Sequence, residues 1–329
     1  MKYDFVAIGD VTMDTFIELS QAHVEKHAGE TDICMRFGDK IPFESAIVIP
    51  GVGNAGNAAV SAARLGITSA LVTDVGTDNW GTECIEAWKQ DNVATEYARR
   101  HEQFPTHHHY VLRFKAERTI LIKHQPWPYA LPAFAEAPAW LYFTSTGEHG
   151  EPYHHEIAEY VKAHPETKLG FQPGTFQINL SADGLLEDLY AVSEIVFCNK
   201  EEAQRILKTE SDDIVGLLKG MRALGPKIAV ITDGPKGAYA MDANDAWYMP
   251  IYPDPAPPVD RTGAGDAFAS TMVALIAAGM SVADALARAP INSMSVVQEI
   301  GAQKGLLSRE KLEEWLAKAP ATYKAEKIA

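Results

Sequence analysis

Alternation is the feature of this sequence that most restricts its fold. Short β-branched or apolar runs at residues 5–9, 70–73, 140–143, 168–171, 195–198 and 228–231 take turns with helix-length segments at 57–65, 81–90, 154–163, 200–207 and 214–224. Strand and helix in turn predict an α/β protein, a three-layer sandwich with a mostly parallel central sheet and helices on both faces. The C-terminal third reads as helical over 265–278, 282–297 and 309–317, and residues 319–329 are expected to fray.

Two stretches lack room for crossover helices. Residues 32–50 read as strands with a turn, and residues 108–124 read as a hairpin with strands at 110–114 and 119–123 and a turn at 115–118. They are expected to pair as a small antiparallel β lid beside the main sheet. The expected division is a core of 1–12, 52–104 and 125–329, with a lid of 13–51 and 105–124. His107, His108 and His109 are expected to be exposed on a lid strand, and His154 and His155 on a helix surface. Phe104, Tyr110, Phe114 and Trp127 lie in or near the lid, where aromatics either form its core or stack on a base.

Composition narrows the function. The 329 residues hold 29 basic and 44 acidic side chains, a formal net charge of −15, so a nucleic-acid partner is not expected. Cys34, Cys84 and Cys198 are far apart and odd in number, which suggests neither a disulfide framework nor a zinc knuckle. The N-terminus is too short in apolar residues for a signal peptide, and the near-apolar run at 267–279 is shorter than the ~20 residues a bilayer needs. The expected location is the cytosol, without a membrane partner.

Two glycine-rich loops carry chemistry. The segment from Gly51 to Gly56 fits GxGxxG, with Asp74 placed 23 residues past Gly51. That fingerprint allows an NAD(P)-dependent dehydrogenase. It sits oddly, however, because a strand-like run already precedes it and because polar Asn54 and Asn57 stand at the helix entry. The second loop runs from Asp260 through Gly263, Ala264 and Gly265 to Asp266 and opens directly into a helical pattern. Small residues let backbone amides approach a ligand, and the helix dipole favours an anion there. Asp266 in the first turn would repel a resting phosphate. It either caps the helix or accepts a proton from an attacking hydroxyl.

At this point the sequence resembles the ribokinase (PfkB-type) family of sugar and nucleoside kinases over nearly its whole length. The family's DTxGAGD motif stands at 260–266 with Arg261 in place of Thr. A Gly pair followed by NxAxxxARLG stands at 52–66, with Val52 in place of the first Gly. GxDxxG is matched at 76–81, the lid hairpin at Glu117-Arg118-Thr119, NxxE at 199–202, TxGxxG at 232–237 and GA at Gly301-Ala302.

The resemblance implies a ribokinase-like fold and an ATP-dependent kinase. Asp266 would be the catalytic base, and the amides of Gly263, Ala264 and Gly265 would form an anion hole. Asn199 and Glu202 would place Mg²⁺ through water. Thr232, Gly234 and Gly237 would follow the phosphates and ribose, with Asn292, Gly301 and Ala302 near the adenine. Asp260 is a candidate K⁺ ligand. Thr12, Asp14, Gly53, Asn54 and Asn57 would clamp the hydroxyls of a sugar or nucleoside. A homodimer through the lid edges is expected. The competing readings are the dehydrogenase and a non-catalytic sugar- or nucleotide-binding protein.

Overall fold

The structure is a computed structural model that describes residues 2–27, 29–115 and 117–329. Met1, Ala28 and Ala116, assigned above to the core, the lid and the hairpin turn, lie outside the described residues. The first strands are β1 (Phe5–Ile8), β2 (Thr12–Leu19), β3 (His23–His27), β4 (Glu30–Cys34), β5 (Phe43–Val52), β6 (Ser69–Gly76), β7 (Ala98–His101), β8 (His108–Phe114) and β9 (Glu117–Leu121). They are followed by β10 (Trp140–Phe143), β11 (Lys168–Phe171), β12 (Ile195–Asn199), β13 (Ile228–Thr232), β14 (Ala238–Met241), β15 (Ala246–Met249) and β16 (Glu326–Lys327). The helices are α1 (Asn54–Arg64), α2 (Asn79–Gln90), α3 (Glu151–Ala163), α4 (Thr175–Ala182), α5 (Glu187–Val192), α6 (Lys200–Ile206), α7 (Ile214–Ala223), α8 (Ala264–Ala277), α9 (Val282–Val296) and α10 (Arg309–Ala317).

Ten strands form the central sheet in the order β16-β15-β14-β13-β12-β11-β10-β1-β6-β7. From β7 to β13 all neighbours are parallel, and β13 to β16 are joined antiparallel. Side chains of a strand alternate between faces, and a parallel sheet is covered on both. Phe5 and Ala7 of β1 and Tyr142 of β10 therefore enter a core shared with α1, α8 and α9. Val6, Ile8, Leu141 and Phe143 enter a second core shared with α3, α6 and α7. Most of these side chains are fully buried, and each large one contributes roughly 1.5–3 kcal/mol.

The helix that matters most is α8. Asp266 through Leu275 are buried without interruption, as expected for a helix apolar on all sides and enclosed by other elements. Ala55, Ala58, Ala59 and Ala62 face the same core from α1. Small side chains there let α1 lie close to α8, and the N-termini of both helices meet at one end of the sheet.

The lid is a separate four-stranded sheet in the order β5-β2-β8-β9. β5–β2 and β8–β9 are antiparallel, and β2–β8 is parallel. Among the described residues, β3 and β4 pair only with each other. Among the described residues no helix is long and apolar enough to cross a membrane.

Three local expectations are overturned. The tail does not fray: β16 pairs with β15, and the Tyr323 ring packs 4.9 Å from that of Tyr252. The Tyr323 hydroxyl donates to the Ala287 carbonyl at 2.8 Å. His107 is not exposed but 1% accessible, and its Nε2 accepts from the Gln125 backbone N–H at 2.7 Å; His108 and His109 are half-buried. His154 lies on the inner face of α3, buried, while His155 is exposed. Tyr323, His107 and His154, polar groups that look like surface in the sequence, each find a hydrogen-bond partner inside the fold.

The tail packing is testable. Tyr323→Ala leaves a cavity between α9 and the 250–252 segment and lowers unfolding stability by about 3 kcal/mol, read from the denaturant midpoint. A frayed tail would leave the midpoint unchanged.

Candidate active site

The site is assembled where α1, α8 and the carboxyl ends of the parallel strands converge, the usual ligand position in open α/β sheets. Gly263 is the N-cap of α8, with φ 80°. A Cβ there would meet the Ala302 Cβ at 2.3 Å, so Gly301-Ala302 sits directly behind the loop. The first bond of this turn runs from Ala267 N–H to the Gly263 carbonyl. The amides of Ala264, Gly265 and Asp266 are therefore left without an intrahelical partner.

Asp266 is buried, and its carboxylate is held by three side-chain amides. Asn54 Nδ2 and Gln172 Nε2 donate to Oδ1 at 3.1 and 3.2 Å, and Asn57 Nδ2 donates to Oδ2 at 2.8 Å. Two of these amides, Asn57 and Gln172, are themselves oriented. Gln303 Nε2 donates to Asn57 Oδ1 at 3.1 Å and to the Gly51 carbonyl at 2.8 Å. The Tyr142 hydroxyl donates to Gln172 Oε1. Burial pushes the Asp266 carboxyl up to about 6, against the lowering effect of the Asn57 and Gln172 hydrogen bonds. A carboxylate so tuned is ionised at neutral pH yet basic enough to take a proton.

A cavity of about 540 Å³ opens beside the start of α8, within the range of small-molecule sites. Asn199, Thr232, Gly234, Gly237, Ala264 and Gly265 line it, together with Arg261. An apolar wall of Ile251, Tyr252, Phe268, Pro290, Met294 and Val297 completes it. Asn199 and Glu202 form a reciprocal capping box on α6. Asn199 Oδ1 accepts from Glu202 N–H, and Glu202 Oε2 accepts from Asn199 N–H, both at 2.8 Å.

On the other side, Asp14 lies on β2 with 7% exposure, and its Oδ1 has no hydrogen-bond partner. His109 Nδ1 is 3.8 Å from that oxygen, and His109 Nε2 is also buried without a partner. Burial is the main reason the Asp14 carboxyl is pushed up to about 7, and Asp260 adds to it; burial pushes the His109 imidazole down to about 4. Buried orphans of this kind mark a place built for a hydrogen-bonding ligand. Thr12, at the start of β2, turns its hydroxyl to the backbone, with the Met13 and His107 carbonyls at 3.1 and 3.3 Å. Gly53 takes φ 92°, and a Cβ there would lie 3.0 Å from the Asp10 carbonyl oxygen. Val52 pairs with Thr12 in the β2–β5 ladder, so the close approach falls on Gly53 and a side chain is tolerated at 52.

Several expected roles change. Asn292 does not reach the cavity. It is fully buried, donates to Thr271 Oγ1 at 2.7 Å and accepts from Leu307 N–H at 2.9 Å, while its neighbour Ser293 lines the cleft. Asp260 ties loops together: Oδ1 accepts from Thr262 N–H and Oγ1, and Oδ2 from Gly301 N–H. Trp127 is packed among His101, Phe104 and His107, not presented to a ligand. The dehydrogenase reading fails on geometry. The Gly51 loop leads from the lid into α1, whose Asn54 and Asn57 face Asp266. Asp74 is spent on Arg99 and His101.

Gln172, Gln303 and Tyr142 were not singled out in the sequence. Only Gln172 left a trace there, as a polar residue directly after the strand-like run at 168–171.

Asp14 gives a stability signature. Its folded-state pKa lies above the unfolded value, so the native state holds the extra proton, and stability falls as pH rises from about 4 to about 7. Asp14→Asn is therefore expected to stabilise the fold at pH 8, on the order of 4 kcal/mol, and to make little difference at pH 4. Thermal unfolding at the two pH values checks this; equal shifts at both would contradict it.

Comparison with known proteins agrees with this geometry. The model of the pfkB family carbohydrate kinases matches residues 46–309. A ribokinase of Bacillus subtilis (strain 168) is 27% identical over 317 residues, covering 94% of this chain and 98% of the relative. A fructokinase of Klebsiella pneumoniae is 30% identical over 246 residues, covering 70% of this chain and 77% of the relative. The solved structure of Arabidopsis thaliana ribokinase complexed with ribose and ATP superposes with a TM-score of 0.79 at 21% identity, covering 96% of this chain and 99% of that one. A match over most of the chain, on a ribokinase-like sheet with its small lid, excludes the dehydrogenase and makes the protein a phosphotransferase: the chain belongs to the pfkB family of carbohydrate kinases.

Proposed function

We propose that this protein transfers the γ-phosphate of ATP to a primary hydroxyl of a furanose-like substrate, a free sugar or the sugar of a nucleoside. One observation carries the reading: the buried, amide-held Asp266 carboxylate shares the first turn of α8 with backbone donors that open into a nucleotide-sized cavity. Asp266 takes the proton of the substrate hydroxyl as its oxygen bonds to the γ-phosphorus. The bond from that phosphorus to the bridging oxygen breaks, and ADP leaves with the electron pair. The amides of Gly263, Ala264 and Gly265 hold the charge that develops on the transferring group.

Thr232, Gly234 and Gly237 border the phosphate and ribose end of the cavity, and the apolar wall suits a purine. Mg²⁺ neutralises phosphate charge in such a transfer, and the oxygen donors of Asn199 and Glu202 fit a hard cation held through water. Asp260 keeps its place as the candidate K⁺ ligand; exchanging K⁺ for Na⁺ in the assay separates that role from its loop-tying hydrogen bonds. On the substrate side, Asp14 and the Asn54–Asn57 turn would receive vicinal hydroxyls, with Thr12 and Gly53 shaping the backbone around them.

A coupled ADP-release assay over ribose, fructose, keto-deoxy sugar acids and several nucleosides tests the reading. At least one polyol is expected to give turnover, and Asp14→Ala is expected to raise its KM by about tenfold or more, from the loss of a charge-assisted hydrogen bond. Turnover should fall about tenfold per pH unit below about pH 6, where Asp266 protonates. No polyol-dependent ADP release would defeat the proposal.

We also propose a homodimer through the lid. Val48, Tyr110 and Leu121 stand side by side on one face of this sheet, in register with Thr15, and all three are exposed, an apolar row that a second lid would cover. Val48→Glu with Leu121→Glu should convert a dimer to a monomer in sedimentation velocity; a parent that sediments as a monomer contradicts the assembly.

A further inference from the structure

The β3–β4 ribbon lies outside the active site and serves no purpose in the mechanism above. Its register pairs His23 with Cys34, Glu25 with Asp32 and His27 with Glu30. Cross-strand partners share a face, and alternate residues along a strand share it too. One face of the ribbon therefore carries two imidazoles, a thiol and three carboxylates. The opposite face carries Val24, Ile33, Lys26 and Thr31.

The ligand atoms of His23, Glu25 and Cys34 already lie within 4.8 Å of one another. Glu25 bridges the two histidines, with Oε1 3.0 Å from His23 Nε2 and Oε2 3.2 Å from His27 Nε2. Donors around a tetrahedral zinc stand about 3.3–3.8 Å apart, given bonds of about 2.0–2.3 Å. Small rotamer changes close that gap. The surplus of three carboxylates also favours a cation at this face.

A physical need points the same way. Every residue of β3 is exposed, and β4 is exposed or half-buried. An isolated two-stranded ribbon without a core is marginal in water, and a metal clip is a standard remedy.

We propose that the β3–β4 ribbon is a binding site for a divalent transition metal of the Zn²⁺ type, with His23, Glu25 and Cys34 as ligands and His27 as the fourth. The sulfur and nitrogen donors select such an ion over Mg²⁺ or Ca²⁺. Binding expels the Cys34 thiol proton to solvent, and the bound ion locks the register of the ribbon. The other His–carboxylate grouping, Asp10 with His107 and His124, does not compete: the Tyr129 hydroxyl donates to Asp10, and His107 Nε2 accepts from the Gln125 amide.

The test uses the full chain with Zn²⁺ or Co²⁺ alone. Calorimetry should find one tight Zn²⁺ site per chain, and Co²⁺ should show a thiolate-to-metal charge-transfer band. Cys34→Ser should abolish that band, and Cys34→Ser and His23→Ala should each weaken Zn²⁺ binding by about tenfold or more. Zn²⁺ should slow amide exchange across residues 23–34 in the parent and not in the variants. Absence of the charge-transfer band in the parent, or Zn²⁺ affinity unchanged in both variants, would overturn the proposal.

Discussion

The rest of this structure depends on keeping one carboxylate charged inside the protein. Asp266 sits at the entry of a helix buried on every side, where an unpaired charge would be very costly. Three side-chain amides, two from α1 and one from the residue after β11, together with the dipole of α8, make the position tolerable. Those amides in turn demand Gln303 and Tyr142 to orient them. α1, β10, β11 and the loop at 301–303 are thus fixed relative to α8 by a single acid. What burial costs in solvation it returns as basicity, since the same desolvation lifts the carboxyl to about 6.

The sheet supplies the frame for this arrangement. Because β1 and β10 send alternate residues into two different cores, helices must cover both faces, and the helix N-termini collect at the carboxyl edge of the strands. The nucleotide-sized cavity and the orphaned Asp14 oxygen flank the start of α8. On the proposed function, phosphate donor and hydroxyl acceptor would have separate approaches to one turn of helix. Asp14 is a second buried carboxylate held at a cost in solvation, with Oδ1 left without a hydrogen-bond partner among the described residues.

Much of this was legible in the sequence. The alternation of apolar runs and helical segments implied the covered parallel sheet, and the Gly-Ala-Gly-Asp run implied a helix entry that combines anion donors with an acid. Less legible were contacts that depend on tertiary closure. Gln172 and Gln303 lie 94 and 246 residues from their partners, and no local pattern announces them. The family resemblance of its position before Gly301-Ala302 places Asn292 near the adenine, but a turn of helix puts neighbours on different faces, and Ser293 lines the cleft instead. Tyr323 looked like tail because mostly polar and small residues surround it; the surface it packs on, Tyr252 and α9 at Ala287, lies far away in sequence. His107 and His154 misled for the same reason, since a polar ring is read as surface until a backbone donor or an inner helix face is known to receive it.

The most direct test of the account is the turnover of Asp266→Asn on whichever polyol the parent phosphorylates, measured alongside ATP affinity. The substitution keeps the shape of the side chain and removes its capacity to take a proton. Turnover is expected to fall by about 10²–10⁴-fold with ATP binding nearly unchanged. Turnover equal to that of the parent would show that the carboxylate at the entry of α8 is not the base.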